Sequence, residues 1–413
     1  MQDRGAMFRR SGVIVVVAIA AAIVAFASRA SGPTPPEPSA SQQAASPSPE
    51  PTTSPSLLPI RPGTWTELRW SEPSVIPDDA AILDVVSWHD GYVAVGDVAG
   101  VDGHVGGAFI STDGVHWQRT FTFPANPSIV ATSTRLIAVV NRLGPPEAAE
   151  AWTSLDGRSW QRDDALALTG ASLTSLVARD TMILARGIDA TGRTTMWRSL
   201  DAAAWSRIPE PSGRAIVRGV VAVSDGFVAI GRDGEPDVAR GGVGVRGVGR
   251  PAAWWSADGG AWTVLQVQGV EAEGAELSDI FDVTDGYFAI GSDTTTPGQN
   301  PRSPLLWFST DARDWRIIGP PAHWGRASAN GRQAVIFAAA DFGIVRLGAW
   351  ASQDGRDWNQ LSFSGDVAEM PAFETAVGQS SRVESIFVEP NGIIVIGQQK
   401  GHLTAWFAQA VVR

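Results

Sequence analysis

A short pattern, aromatic-x-Ser-x-Asp-(Gly/Ala)-x-x-Trp, recurs six times in this chain and limits what it can fold into more than any other feature. Its copies carry Ser111, Asp113 and Trp117; Ser154, Asp156 and Trp160; Ser199, Asp201 and Trp205; Ser256, Asp258 and Trp262; Ser309, Asp311 and Trp315; and Ser352, Asp354 and Trp358. They stand roughly 43 to 57 residues apart, a spacing that marks one supersecondary unit repeated in an array. A second element lies between them. Asp-Gly or Asn-Gly followed by an apolar run occupies 90–96, 225–231, 285–291 and 391–397, with weaker copies at 134–140, 180–186 and 341–347. Each follows another apolar, β-branched run, such as 82–88, 215–223 or 334–339. Asp-Gly between two such runs marks a tight hairpin.

One unit therefore reads strand, Asp-Gly turn, strand, variable loop, strand, Ser-x-Asp turn, strand. Four antiparallel strands of this kind make a propeller blade. Helical periodicity is absent after residue 63. The blade count comes from the two ends of the repeat region. Residues 64–70 match the strand after each Ser-x-Asp turn, and residues 404–409 match the strand before it but have no turn after them. Six complete units plus one shared between the ends predict an all-β, seven-bladed β-propeller of four-stranded antiparallel blades, closed by N- and C-terminal strands in one blade. The Ser and Asp side chains are suited to bonding backbone amides inside the turn. Glycine after Asp permits positive φ, and Ala202 and Ala312 replace it in two units. The closing Trp is expected to be buried between neighbouring blades. These residues are read as structural, not catalytic.

The first 63 residues are of another kind. Arg4, Arg9 and Arg10 precede an apolar run at 12–27. A basic region before a hydrophobic segment describes both a cleaved signal peptide and an uncleaved signal anchor. Either form keeps the N-terminus cytoplasmic and sends the rest outward. Residues 28–63 are rich in Pro and Ser and cannot pack a core. Extended, they span up to roughly 100 Å. The expected organisation is 1–27 anchor or signal peptide, 28–63 linker, and 64–413 propeller. The expected location is the cell membrane, single pass with the propeller outside, or secreted if the segment is cleaved. The formal charge of −11 argues against a nucleic acid partner. Cysteine is absent, which excludes disulfides, thiolate metal sites and a cysteine nucleophile.

The repeated pattern resembles the Asp-box, or BNR, repeat of the sialidase-like propellers, usually Ser-x-Asp-x-Gly-x-x-Trp; here glycine directly follows Asp, so each box is one residue shorter. The resemblance covers the chain from Thr64 onward. It implies the propeller fold and leaves function open, because such propellers include sialidases, other glycoside hydrolases, sorting receptors and assembly factors. A sialidase would imply an arginine triad, a Tyr–Glu nucleophile pair and an Asp acid. Only Tyr92 and Tyr287 exist, both in the slot of the hairpin element that Phe227 also fills, and 59–62 (Pro-Ile-Arg-Pro) is a faint echo of the family's arginine motif.

Function is expected on the face opposite the Ser-x-Asp turns, where the longer loops gather. Glu271, Glu273 and Glu276 form a short acidic cluster, with Asp233, Glu235 and Asp237 expected near it, suited to glycoside hydrolysis or to calcium, although the spacing fits no calcium loop. His323, Trp324 and Arg326 combine an aromatic platform with a cation, suited to stacking on a sugar ring. The stretch 242–247 spells G-x-G-x-x-G, but lacks the strand-then-helix setting of a dinucleotide site and reads as a glycine loop. No metal-ligand spacing and no cofactor motif occurs. The expectation is a membrane-tethered, extracytoplasmic binding or scaffold module for a protein, peptide or glycan. The alternative is a glycoside hydrolase using loop carboxylates.

Overall fold

The computed structural model describes residues 64–412, apart from stretches at 101–102, 143–147, 192, 201, 203, 236–237, 241–242, 246–248, 269–274, 293–303, 320–324, 342–343, 366–380 and 400–401. The apolar segment and linker read from the sequence lie outside the described residues, and no helix among the described residues is long and apolar enough to cross a membrane.

Seven blades of antiparallel strands follow one another along the chain, and Ser362–Gly365 and Gln266–Val267 add in parallel to the outer strands of blades 7 and 5. Blade 1 consists of Ala81–Trp88, Gly91–Gly100, Gly103–Ser111 and Gln118–Phe123, hydrogen-bonded in that order. Blades 2 to 6 open with Pro127–Ala131, Ser172–Arg179, Ala215–Val223, Glu276–Val283 and Gly325–Ala329. These first strands touch those of the neighbouring blades, so they line the axis of the ring. Blade 7 takes Ser381–Glu389, Gly392–Gln399 and His402–Val412 from the C-terminal end, and Trp65–Trp70 pairs with His402–Val412 as its fourth strand. Ring closure is therefore a ladder between strands more than 300 residues apart, and it removes a sheet edge.

Burial follows this geometry. Second strands are sandwiched between neighbouring blades, so Gly226–Gly234 is buried at all but one position and 226–231 is apolar without alternation. Outer strands face water, and Gln118–Phe123 buries only Phe123 fully. The core is a set of clusters, each spanning two blades. Trp117 of blade 1 packs with Ile394 and Ile396 of blade 7; Trp160 of blade 2 packs with Val93 and Val95 of blade 1; Trp315 of blade 5 packs with Val228 and Ile230 of blade 4. Trp65 opens the fourth strand of blade 7 as Trp205 opens that of blade 3, and it lies in the cluster between blades 6 and 7.

The Ser-x-Asp turns have the bonding expected of them. Ser111 Oγ donates to Asp113 Oδ1 at 3.0 Å and accepts from Gly114 N at 2.8 Å. Asp113 Oδ1 also accepts from Val115 N and His116 N, and Trp117 Nε1 donates to Gly114 O at 2.9 Å. The turns at Ser154 and Ser352 repeat this set. At blade 4 it is incomplete: Ser256 Oγ and Trp262 Nε1 are buried without a described partner. Burial raises the Asp113 carboxyl, but the bonds from His116 and Val115 outweigh it and hold it at about 2.

Three readings of the hairpin element are corrected. In blade 1 the turn is His89-Asp90, with His89 at φ 52, and Gly91 already belongs to the next strand. A Cβ on Gly91 would strike Ser111 O, so close approach, not turn conformation, requires the glycine. In blade 3 the loop is Asp180-Thr181, which shifts the ladder one place; Gly187, not Arg186, pairs as Gly96 does. In blade 6 the first hairpin is not at Asp341. Residues 334–339 belong to the second strand, and the turn is at Asn330-Gly331, where Asn330 Oδ1 accepts from Arg332 N and Gln333 N. The stretch 242–247 is not a bare glycine loop: Val243–Val245 pairs with Val238–Arg240, and the strand Gly249–Ser256 follows.

Candidate functional site

The first strands share one irregularity. In five blades a bulge leaves one residue out of the ladder: Leu83, Thr174, Arg218, Ser278 and Glu384. A bulge re-aims its side chain, and in blade 4 this turns Arg218 toward the face opposite the Ser-x-Asp turns. There a cleft of about 680 Å³ opens between blades 3 and 4. Its titratable lining is Arg193, Arg207, Arg214, Arg218 and Glu210, with hydroxyls from Thr194, Thr195 and Ser212.

Each arginine is placed by a local device. Asp189 accepts from Thr191 N, Thr191 Oγ1 and Arg193 N, a turn that presents Arg193 at the lip. These bonds, the Thr191 hydroxyl foremost, hold the Asp189 carboxyl below the usual carboxylate range. The same carboxylate pairs with Arg207 at 2.9 Å, and Arg207 Nε donates to Thr195 Oγ1 at 3.0 Å. Arg214 sits in the link between the blades and is exposed. Beneath the cleft, Glu276 is almost fully buried and accepts from Arg232 Nη1 at 2.8 Å and from Arg218 Nε at 3.4 Å. Burial raises the Glu210 carboxyl, opposed by the charges of Arg207 and Arg193.

A second cavity of about 260 Å³ adjoins on the axial side, lined by Arg186, Arg218, Asp279 and the first strands of blades 3 to 5. Arg218 belongs to both.

Of the residues singled out in the sequence, two fall around this cleft. Asp233 is exposed at its rim and accepts from Ser212 Oγ at 3.1 Å. Glu276 lies under the floor as a buried anchor for arginines. Asp237, Glu271, Glu273, His323 and Trp324 lie outside the described residues; Arg326 is in the first strand of blade 6, paired with Phe337, and its side chain is outside them too. No group of acidic and histidine side chains among the described residues is placed to hold a metal. Tyr92 and Tyr287 both lie at the hairpin face, opposite the cleft. Burial, then Glu389, raises the Tyr92 hydroxyl, the wrong direction for a nucleophile.

The arginine lining was not anticipated. Five arginines between 193 and 218 in an acidic chain are a visible density. Strand direction then divides them, because Arg198 reaches Asp258 at the hairpin face, while the other four reach the cleft.

No protein-family model matches this chain, and no curated protein sequence does. Similar solved structures include an ulvan lyase at 13% identity, covering 85% of this chain and 97% of that one with a TM-score of 0.48. The β-propeller domain of the Trilobed protease from Pyrococcus furiosus, of open Velcro topology, is 11% identical over 80% of this chain and 95% of that one, TM-score 0.46. A Trypanosoma rangeli sialidase is 10% identical over 68% of this chain and 54% of that one, TM-score 0.39. At such identities and scores these likenesses assign this chain neither a substrate nor catalytic residues.

Proposed function

We propose that this chain is an Asp-box binding propeller, displayed outside the cell membrane by residues 1–63, that holds an acidic glycan in the cleft between blades 3 and 4. The observation that supports this is charge placement: four arginines line one cleft in a chain of formal charge −11, two of them, Arg207 and Arg218, ion-paired with Asp189 and Glu276. A local positive site on an acidic surface attracts anions and orients them, and guanidinium matches carboxylate and sulfate geometry. The volume suits a few sugar units, and Thr194, Thr195 and Ser212 supply hydroxyl partners.

The test is binding of polygalacturonate and of neutral dextran to the full chain in detergent micelles, by calorimetry. The acidic polymer is expected to bind, with affinity falling as salt rises. Arg193→Glu with Arg214→Glu is expected to abolish it. Equal binding of both polymers, or binding indifferent to these reversals, overturns the reading.

A second reading, cleavage of the same ligand, rests on one observation. Glu210 and Asp189 interact within one site, the first carboxyl raised and the second lowered, which is how an acid and a base are separated at one pH. Release of reducing ends or unsaturated products from polygalacturonate, lost in Glu210→Gln, would establish it; no turnover with intact binding leaves the binding module.

A further inference from the structure

The blades can be compared place by place through their ladders. Four residues into the second strand stand Val95, Val140, Arg186, Ile230, Ile290, Ala338 and Ile396 in blades 1 to 7. Val95, Val140, Ile230 and Ile396 are fully buried core residues. Blade 3 alone puts a charge there. Burying a guanidinium in place of an aliphatic side chain costs free energy, and proteins break their own repeating rule chiefly where function demands it.

The surroundings of Arg186 point to what it serves. Its Nη1 donates to Val217 O at 2.9 Å across the seam to blade 4, while its Nε is buried without a partner among the described residues. Burial, then the charge of Arg218, disfavours its protonated form, and the carboxylate of Asp279, which lines the same cavity, opposes them. Two guanidinium groups thus face one cavity. Gly219 lines it without a side chain and stands where blades 1 and 5 carry Asp84 and Asp279. In blade 1, Asp84 fills this place and bonds Ile129 N of the next blade. In blade 4 the carboxylate is missing: a Cβ on Gly219 would meet Ile230 and Ser278 O of blade 5.

We propose that the axial cavity lined by blades 3, 4 and 5 is a site for a small tetrahedral oxyanion, sulfate or phosphate, held by Arg186 and Arg218. The site goes beyond the glycan reading and does not depend on it: Arg193 and Arg214 line the outer cleft only. Arg218, shared by both, links the two. An oxyanion that draws Arg218 inward takes a guanidinium from the cleft, so anion and acidic polymer should weaken each other's binding.

The experiment is a calorimetric titration of the full chain with sodium sulfate and, separately, sodium phosphate, against sodium chloride at equal ionic strength. Saturable binding of at least one oxyanion, and none of chloride, is expected; which of the two binds more tightly identifies the ligand. Arg186→Ile restores the aliphatic residue of the other blades, so it is expected to fold and to melt no lower than the wild type. Its oxyanion affinity should fall about 10- to 100-fold, the weight of charge-assisted hydrogen bonds. Arg186→Met serves as a second variant with the same expectation. Wild type that does not saturate with either oxyanion, or variants that saturate as wild type does, overturns the proposal. Loss of polymer binding in Arg193→Glu/Arg214→Glu with sulfate binding intact separates this site from the glycan cleft.

Discussion

Replacing Glu389 by glutamine is expected to flatten the pH dependence of the propeller's stability. Glu389 ends the first strand of blade 7 and is 7% exposed. It accepts from Ser87 Oγ of blade 1 at 3.4 Å and from the Tyr92 hydroxyl, so it ties blade 7 to blade 1. Burial raises its carboxyl from 4.5 to about 7, against the two hydrogen bonds. A folded-state value above the unfolded one means that folding takes up a proton. The stabilising effect is complete below about 4.5 and is lost as pH rises through about 7. Each tenfold change in proton affinity is worth about 1.4 kcal/mol. The penalty is therefore about 3 kcal/mol at pH 8 and under about 1 kcal/mol at pH 5, a difference of about 2 to 3 kcal/mol. Glutamine cannot ionise and keeps a carbonyl acceptor for both hydroxyls. Urea unfolding, followed by tryptophan fluorescence from pH 5 to 8 in both proteins, measures the difference. Asp84, raised to about 6 by burial, adds a slope of the same sign, which cancels between them. Parallel stability curves for the two proteins would refute the reasoning, because the carboxyl would then titrate alike folded and unfolded.

Three further outcomes are expected. Trp315→Ala empties a fully buried indole between blades 4 and 5 and should cost about 3–5 kcal/mol in chemical denaturation. Removing residues 64–70 deletes the fourth strand of blade 7 and exposes the edge of His402–Val412; limited proteolysis should then begin in blade 7, and self-association should appear in sedimentation. Ala202 and Ala312 hold φ of 69° and 57°, so Ala202→Gly and Ala312→Gly should each stabilise by about 0.5–1 kcal/mol, read as a higher melting temperature.

The chain's order along the ring is legible in its sequence. Ser111, Asp113 and Trp117 and their five sets of counterparts announce the turns because that bonding is local, complete within seven residues. The pairing of Trp65–Trp70 with the last strand was legible as well, since each end carries the half of a unit that the other lacks. Hairpin placement was legible only where the local signal was strong. Blade 6 went astray because Asn330-Gly331 precedes a strand that reads equally well as the first of its blade, and only pairing partners separate the two. The cleft was not legible at all. Arg193, Arg207, Arg214 and Arg218 come from a turn, a strand, a link and a bulge, and nothing in their spacing says that these four converge while Arg198 departs. Repetition is carried by neighbours along the chain, so sequence alone determined the scaffold. Side-chain direction at a blade seam depends on ladder register and on a one-residue bulge, so only the tertiary structure decided where the charge gathers.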